Sequence, residues 1–359
     1  MKIQEIRKDG KPLHIITDDL YQYAFFYFTE NKWLDCERLV VLRNADHSKT
    51  EAEFFHAADL VLIDMKQETE TLLTDHRQFG GVIWHLVHEN RLFFVTDKNC
   101  LWMKDLDNGD TVLIYKSLDH QMILGISITN NGKYLGLFSC PKDPFDTCKF
   151  YRIDLSNFAV EVLFEKRFEK PFFAADHFMI CPTDENKVFF THEGDTFYVS
   201  NRMWLWEKGR GMRNLTRQRL DKDGNVGDCF GHECWEPGGK GLYFVKYKCS
   251  PTPPTGICYT DTEGNQTDVL YGKYPYWHVS TSPNGRFLGA DTQSESYSGV
   301  VLIDTKKAEE HLLFRADTTW SHPCHPHPMF SPDSNQLCFH TLHNGKIVIA
   351  VFDISAYND

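Results

Sequence analysis

Ser282-Pro283-Asn284-Gly285-Arg286-Phe287-Leu288 and Ser331-Pro332-Asp333-Ser334-Asn335-Gln336-Leu337 decide the fold of this chain, because each is a polar turn that opens directly into an apolar strand. The same pattern returns in His88-Glu89-Asn90-Arg91-Leu92-Phe93-Phe94, Thr129-Asn130-Asn131-Gly132-Lys133-Tyr134-Leu135, Pro182-Thr183-Asp184-Glu185-Asn186-Lys187-Val188-Phe189 and Glu236-Pro237-Gly238-Gly239-Lys240-Gly241-Leu242-Tyr243, with turns 41 to 54 residues apart. A period of about 45 with hairpin chemistry at each turn is the spacing of propeller blades built from four antiparallel strands. Between the turns lie partner strands with an apolar-acidic ending: Leu62-Ile63-Asp64, Arg152-Ile153-Asp154-Leu155, Leu302-Ile303-Asp304 and Val351-Phe352-Asp353-Ile354.

Six repeats are placed in this way, and the stretch from Leu13 to Thr74 supplies strands for a seventh. Convincing amphipathic helices are absent, and no Pro/Ser/Gly-rich linker divides the chain. The expectation is an all-β, seven-bladed β-propeller forming a single domain over residues 1–359, with a solenoid or a pair of sandwiches as the alternative.

No apolar run reaches the length of a membrane-spanning helix, and the first residues, Met1-Lys2-Ile3-Gln4-Glu5-Ile6-Arg7, lack the apolar core of a signal peptide. The eleven cysteines are odd in number and scattered, without a Cys-x-x-Cys pair, so neither a disulfide framework nor a zinc knuckle is indicated and a cytoplasmic location is expected. A formal charge of −12 opposes general nucleic-acid binding. Against that background, Arg202 to Leu220 carries six basic residues and one acidic one. Such a run is ordinarily a solvated loop, although a small anionic substrate would need a patch of this kind.

Four histidines crowd near the C-terminus: His278 in Tyr276-Trp277-His278-Val279-Ser280, then His322-Pro323-Cys324-His325-Pro326-His327-Pro328. In an extended segment alternate side chains share a face, so His325 and His327 would point the same way while the prolines hold the backbone straight. With His278 on the neighbouring blade the set reads as one metal site, because Pro-spaced histidines are hard to explain as core packing. Imidazole suits zinc, nickel, copper and iron, and neutral ligands leave the ion's double charge available to an anionic substrate. Lone histidines such as His56 and His177 are read as structural.

Gly231-His232-Glu233-Cys234-Trp235 offers His232 as a base near the operating pH. It is not a zincin helix, since the second histidine is missing. Asn201-Arg202-Met203-Trp204-Leu205-Trp206 holds Arg202 among aromatics, where a guanidinium fork can face a carboxylate; an outward strand residue is the equal alternative. No phosphate loop, serine elbow or cysteine-nucleophile signature appears, and Gly238-Gly239-Lys240-Gly241 reads as a hairpin turn.

Taken together, His192-Glu193-Gly194, Arg202-Met203-Trp204-Leu205, Gly231 to Pro237, the His278 segment, Asp317-Thr318-Thr319-Trp320 and His325-Pro326-His327-Pro328-Met329-Phe330 resemble the oligogalacturonate lyases. Members of that family are seven-bladed propellers that act inside bacterial cells on short pectin fragments. The resemblance implies a divalent metal, manganese first with nickel, zinc or cobalt as alternatives, on His278, His325 and His327, with His322 standing where the family has a glutamine. It further implies His232 as catalytic base, Arg202 as essential arginine, and an acidic oligosaccharide cleaved by β-elimination. The group that protonates the leaving oxygen is left open among Arg202, a tyrosine and water. The competing readings are a lyase acting on another uronate-containing oligosaccharide and a non-catalytic binding propeller.

Overall fold

The computed structural model describes residues 1–45, 57–117, 121–141, 147–168, 175–192, 199, 202–216, 218–219, 223, 227–294, 297–318 and 324–358. Their strands form seven antiparallel sheets, and the fold is a seven-bladed β-propeller. Blades 1 to 6 occupy residues 22–72, 82–116, 121–167, 175–214, 230–261 and 276–316, with four strands each except for the three described in blade 5. The described helices are single turns, His76–Phe79 and the 3-10 turn Ser355–Tyr357. No helix among the described residues is long and apolar enough to cross a membrane.

Blade 7 departs from the expected arrangement. Its strands Met329–Phe330, Gln336–His343 and Lys346–Asp353 are completed by Lys11–Thr17 and Lys2–Lys8, with His14 opposite Val351. Leu13 therefore belongs to the last blade, and blade 1 begins only at Gln22. Pairing both chain ends in one sheet covers an edge that would otherwise present unpaired backbone groups.

The repeated turns have a common cause. In blades 3, 6 and 7 a hydroxyl donates to an Asn or Asp two residues on: Thr129 to Asn131 at 2.7 Å, Ser282 to Asn284 at 2.8 Å and Ser331 to Asp333 at 2.6 Å. That acceptor also takes the backbone N–H two residues further, of Lys133, Arg286 and Asn335. The third strands end on aspartates whose Oδ1 accepts backbone N–H groups of the next turn, at Asp64, Asp105, Asp154, Asp261, Asp304 and Asp353. Short acidic side chains that can cap their own turn explain why the apolar-acidic ending recurs.

By its contacts the chain divides into two compact units: Met1–Leu113 with Ser280–Asp359, and Ile114–Val279. In the first, blades 6 and 7 share a core containing Phe287, Val300, Phe314, Phe339 and Ala350, while further cores join blade 7 to blade 1 and blade 1 to blade 2. In the second, blades 3 and 4 pack Phe138, Phe150, Phe178 and Phe190 together, and blades 4 and 5 pack Phe189, Leu205, Phe230 and Phe244. Inner strands such as Tyr134–Pro141 and Ser298–Asp304 are buried almost throughout, whereas the outermost Ala159–Arg167 is largely exposed. Burial on both faces erases the polar alternation of an edge strand and gives the near-continuous apolar runs seen in the sequence.

Candidate active site

His232 sits on the first strand of blade 5, Phe230–Trp235, where the register slips between Gly231 and Cys234. The slip places His232 in the left-handed region, φ 51°. A residue with a Cβ adopts this conformation only when its surroundings hold it there. Its Nδ1 lies 2.5 Å from the Trp277 carbonyl and 2.9 Å from Tyr247 Oη. A carbonyl can only accept, so Nδ1 carries the proton and Nε2 is the nitrogen that takes one up. Burial first, then the neighbouring His278 and His177 imidazoles, hold the His232 pKa well below 6.5, which keeps the ring neutral. Gly231 is required for this packing, because a Cβ there would fall 2.0 Å from Tyr247 Oη.

Beside His232 lies a group that the sequence reading did not assemble. Glu233 is fully buried; its Oε1 accepts from Arg202 Nε at 3.2 Å, and its Oε2 lies 2.7 Å from His177 Nδ1. His177, read from sequence as structural, is also left-handed at φ 45° and stands at a register slip in Ala175–Cys181. Its ring faces that of His232 at 5.8 Å with 21° between planes. Arg202, just ahead of the strand Met203–Glu207, is buried and so is not an outward-facing strand residue. Among the described residues, its neighbours in the basic run are each paired with a carboxylate and do not form an open cationic patch. Lys208 pairs with Glu161 at 3.0 Å, Arg210 with Glu263 at 2.8 Å, Arg213 with Glu207 at 2.9 Å and Arg219 with Asp268 at 2.6 Å, while Arg217 lies outside the described residues.

His278 occupies the strand Tyr276–Thr281, which the division between the two units cuts after Val279. Its ring centre is 3.9 Å from that of His232. His278 is buried in its unit, and His325 and His327 are buried in theirs. Three neutral imidazoles are a donor set for a transition-metal dication. The residues therefore fit a metal. His322, expected as a fourth ligand, lies outside the described residues.

His325 and His327 do not reach this arrangement by strand alternation. His327 is left-handed, φ 45°, and the two rings are nearly perpendicular, 81° apart with centres at 5.5 Å. Hydrogen bonds to the backbone hold the segment instead: His327 N donates to Asp291 Oδ2 at 3.1 Å, and His340 N donates to the Pro326 carbonyl at 2.8 Å. The His340 ring spans His325 and blade 1, with Nδ1 donating to the His325 carbonyl at 2.8 Å and Nε2 accepting from Phe25 N at 2.9 Å. These bonds fix the backbone of the segment that carries both histidines. His340, Asp291 and Glu233 were missed from sequence; only a polar residue inside an apolar strand marked each of them. A second grouping, Asp59, Asp75 and His76, is already engaged with Arg43 and Arg77.

Known proteins match this architecture. The family profile described as oligogalacturonate lyase matches residues 138–356. The oligogalacturonide lyase of Pectobacterium atrosepticum is 25% identical over 327 residues, covering 79% of this chain and 80% of its own. The oligogalacturonate lyase of Dickeya dadantii is 25% identical over 326 residues, with the same coverage of each. A solved oligogalacturonate lyase in complex with manganese superposes with a TM-score of 0.84 at 20% identity over 99% of this chain and 97% of its own, a likeness of fold. With the profile spanning more than half of its length, the chain belongs to the oligogalacturonate lyase family of polysaccharide-cleaving enzymes.

Proposed function

We propose that this protein, acting as one propeller domain, is a cytoplasmic, metal-dependent lyase that cleaves short oligogalacturonates, digalacturonate among them, by β-elimination. The observation that carries the reading is a neutral histidine held against His278 within one unit, with the buried Arg202 fixed to the adjacent Glu233. His278, His325 and His327 would hold the ion, with His322 as a fourth ligand. Manganese is the first candidate, since the structurally similar oligogalacturonate lyase binds it; nickel, zinc and cobalt share the donor preference.

The chemistry explains why these groups belong together. In a 4-linked uronate, C5 bears both the hydrogen to be removed and the carboxylate that accepts the electrons. A bound dication supplies electrostatic stabilisation of the charge that develops on that carboxylate. His232 takes the C5 proton at Nε2, its Nδ1–H fixed by Trp277. Arg202, anchored through Nε to Glu233, would set its positive charge against the substrate's negative charge. The C4–O bond then breaks and leaves a 4,5-unsaturated sugar. No water is consumed, so no hydrolytic carboxylate pair is needed.

The test incubates digalacturonate with metal-loaded and chelator-treated protein and follows the absorbance of the conjugated uronate. Signal with metal only supports the reading, while metal-loaded protein silent on digalacturonate and on other uronate oligomers overturns it in favour of a binding propeller. His232→Ala should abolish turnover with ion content unchanged, whereas His325→Ala should deplete the ion.

A further inference from the structure

We propose that His177 is the acid that protonates the departing C4 oxygen, an inference that rests on the lyase reading above. His177 Nδ1 faces the Glu233 carboxylate at 2.7 Å, and a carboxylate only accepts, so Nδ1 is protonated and Nε2 is the nitrogen that gains and loses the catalytic proton. Glu233 is fully buried, so its charge acts on His177 with little screening and stabilises the imidazolium, the acidic form. The neighbouring His232 has the opposite environment: its Nδ1 meets a neutral carbonyl and a phenol, with no carboxylate to favour a cation at that edge. Two adjacent histidines, one favoured as cation and one as neutral ring, are the arrangement expected of an acid and a base working on one substrate.

The other donors nearby serve less well. Arg202 holds its proton too tightly to act as an acid. Tyr247 Oη touches Nδ1 of His232, the edge remote from the nitrogen that does the chemistry. His177, by contrast, is held 5.8 Å from His232 ring to ring and is forced into a left-handed backbone that a structural histidine would not need.

The step balances within the chain. His232 removes the C5 proton, the C5–H pair becomes the C4=C5 bond, the C4–O pair leaves on oxygen, and the Nε2 proton of His177 closes it as an alcohol. His232 ends protonated and His177 neutral. Transfer of one proton from the first to the second restores the resting pair with no external acid.

Removal of an acid leaves proton abstraction intact, and this separates His177 from the base. Metal-loaded wild type, His177→Ala and His232→Ala are incubated with digalacturonate in heavy water. Recovered digalacturonate is returned to ordinary water and weighed by mass spectrometry for carbon-bound deuterium. His177→Ala should lose about 100-fold or more of elimination yet still incorporate deuterium at C5, and His232→Ala should do neither. Elimination by His177→Ala within about threefold of wild type, or loss of exchange together with elimination in a variant that melts with wild type, overturns the assignment. Should His177→Ala fail to fold, His177→Gln is judged by the same two readouts. Wild type that neither eliminates nor exchanges would overturn the lyase reading, and this inference with it.

Discussion

Replacing Glu233 by glutamine keeps the size of a buried side chain and removes the charge shared by two partners. The carboxylate serves Arg202 Nε with one oxygen and His177 Nδ1 with the other, at 3.2 and 2.7 Å. A glutamine has one acceptor oxygen and one NH2, so in either orientation a donor meets a donor. One charge-assisted hydrogen bond, about 1.5–3 kcal/mol, is lost outright. In addition the Arg202 guanidinium, 4% exposed, loses the charge of Glu233. Breaking a buried pair by removing one partner costs about 3–5 kcal/mol, and that range is expected here, because the hydrogen-bond loss is already contained in it. Equilibrium urea unfolding measures the stability, and kcat/KM on digalacturonate should fall about 100-fold or more, with ion content retained. Glu233→Asp, which keeps the charge but shortens the reach, should lie between the two. A Glu233→Gln protein within about 1 kcal/mol of wild type and equally active would refute the idea that this carboxylate organises Arg202 and His177.

Gly231→Ala places a Cβ 2.0 Å from Tyr247 Oη and should cost about 1–3 kcal/mol by thermal or urea unfolding, with kcat falling as Tyr247 is displaced; adding Tyr247→Phe should recover part of the stability. Lys32, fully buried 3.8 Å from Glu30 with its Nζ donating to the His85 carbonyl, has its pKa lowered by burial to about 8. The unfolded chain keeps that proton up to 10.5, so stability should rise as pH climbs from about 8 toward 10.5. Lys32→Met alone should lose about 3–5 kcal/mol, and Lys32→Met with Glu30→Gln should regain most of it. For His232 the lowered pKa has two consequences: the acid limb of kcat should fall well below pH 6.5, and below 6.5 the unfolded state binds a proton the native state resists, so stability declines as pH drops. An activity limb at or above 6.5 in the pH–rate profile would contradict a neutral His232 as the base.

How much of this could be read beforehand follows from the range of the interactions involved. The blade turns were legible because their hydrogen bonds close within five residues: Ser282 reaches Asn284 and Phe287, and Ser331 reaches Asp333 and Gln336, so the motif and its cause lie in one short string. The make-up of blade 7 was not, because Lys11–Thr17 pairs with Lys346–Asp353 across almost the whole chain, and nothing local to Leu13 distinguishes a strand of the first blade from one of the last. The same division runs through the site. His325 and His327 stood out as proline-spaced imidazoles, yet the segment is held by a left-handed His327 tied to Asp291 and by a His325 carbonyl tied to His340, side chains that look unremarkable in their own strands. His232 and Arg202 are candidates in their own short strings, with roles that the family resemblance implies, whereas His177 and Glu233, 56 residues apart, acquire meaning only when a register slip in each strand turns them toward one another. Polar residues whose partners lie in another blade carry no periodic signature, so on this fold the reacting groups are better sought at slips in the innermost strands than in any motif along the chain.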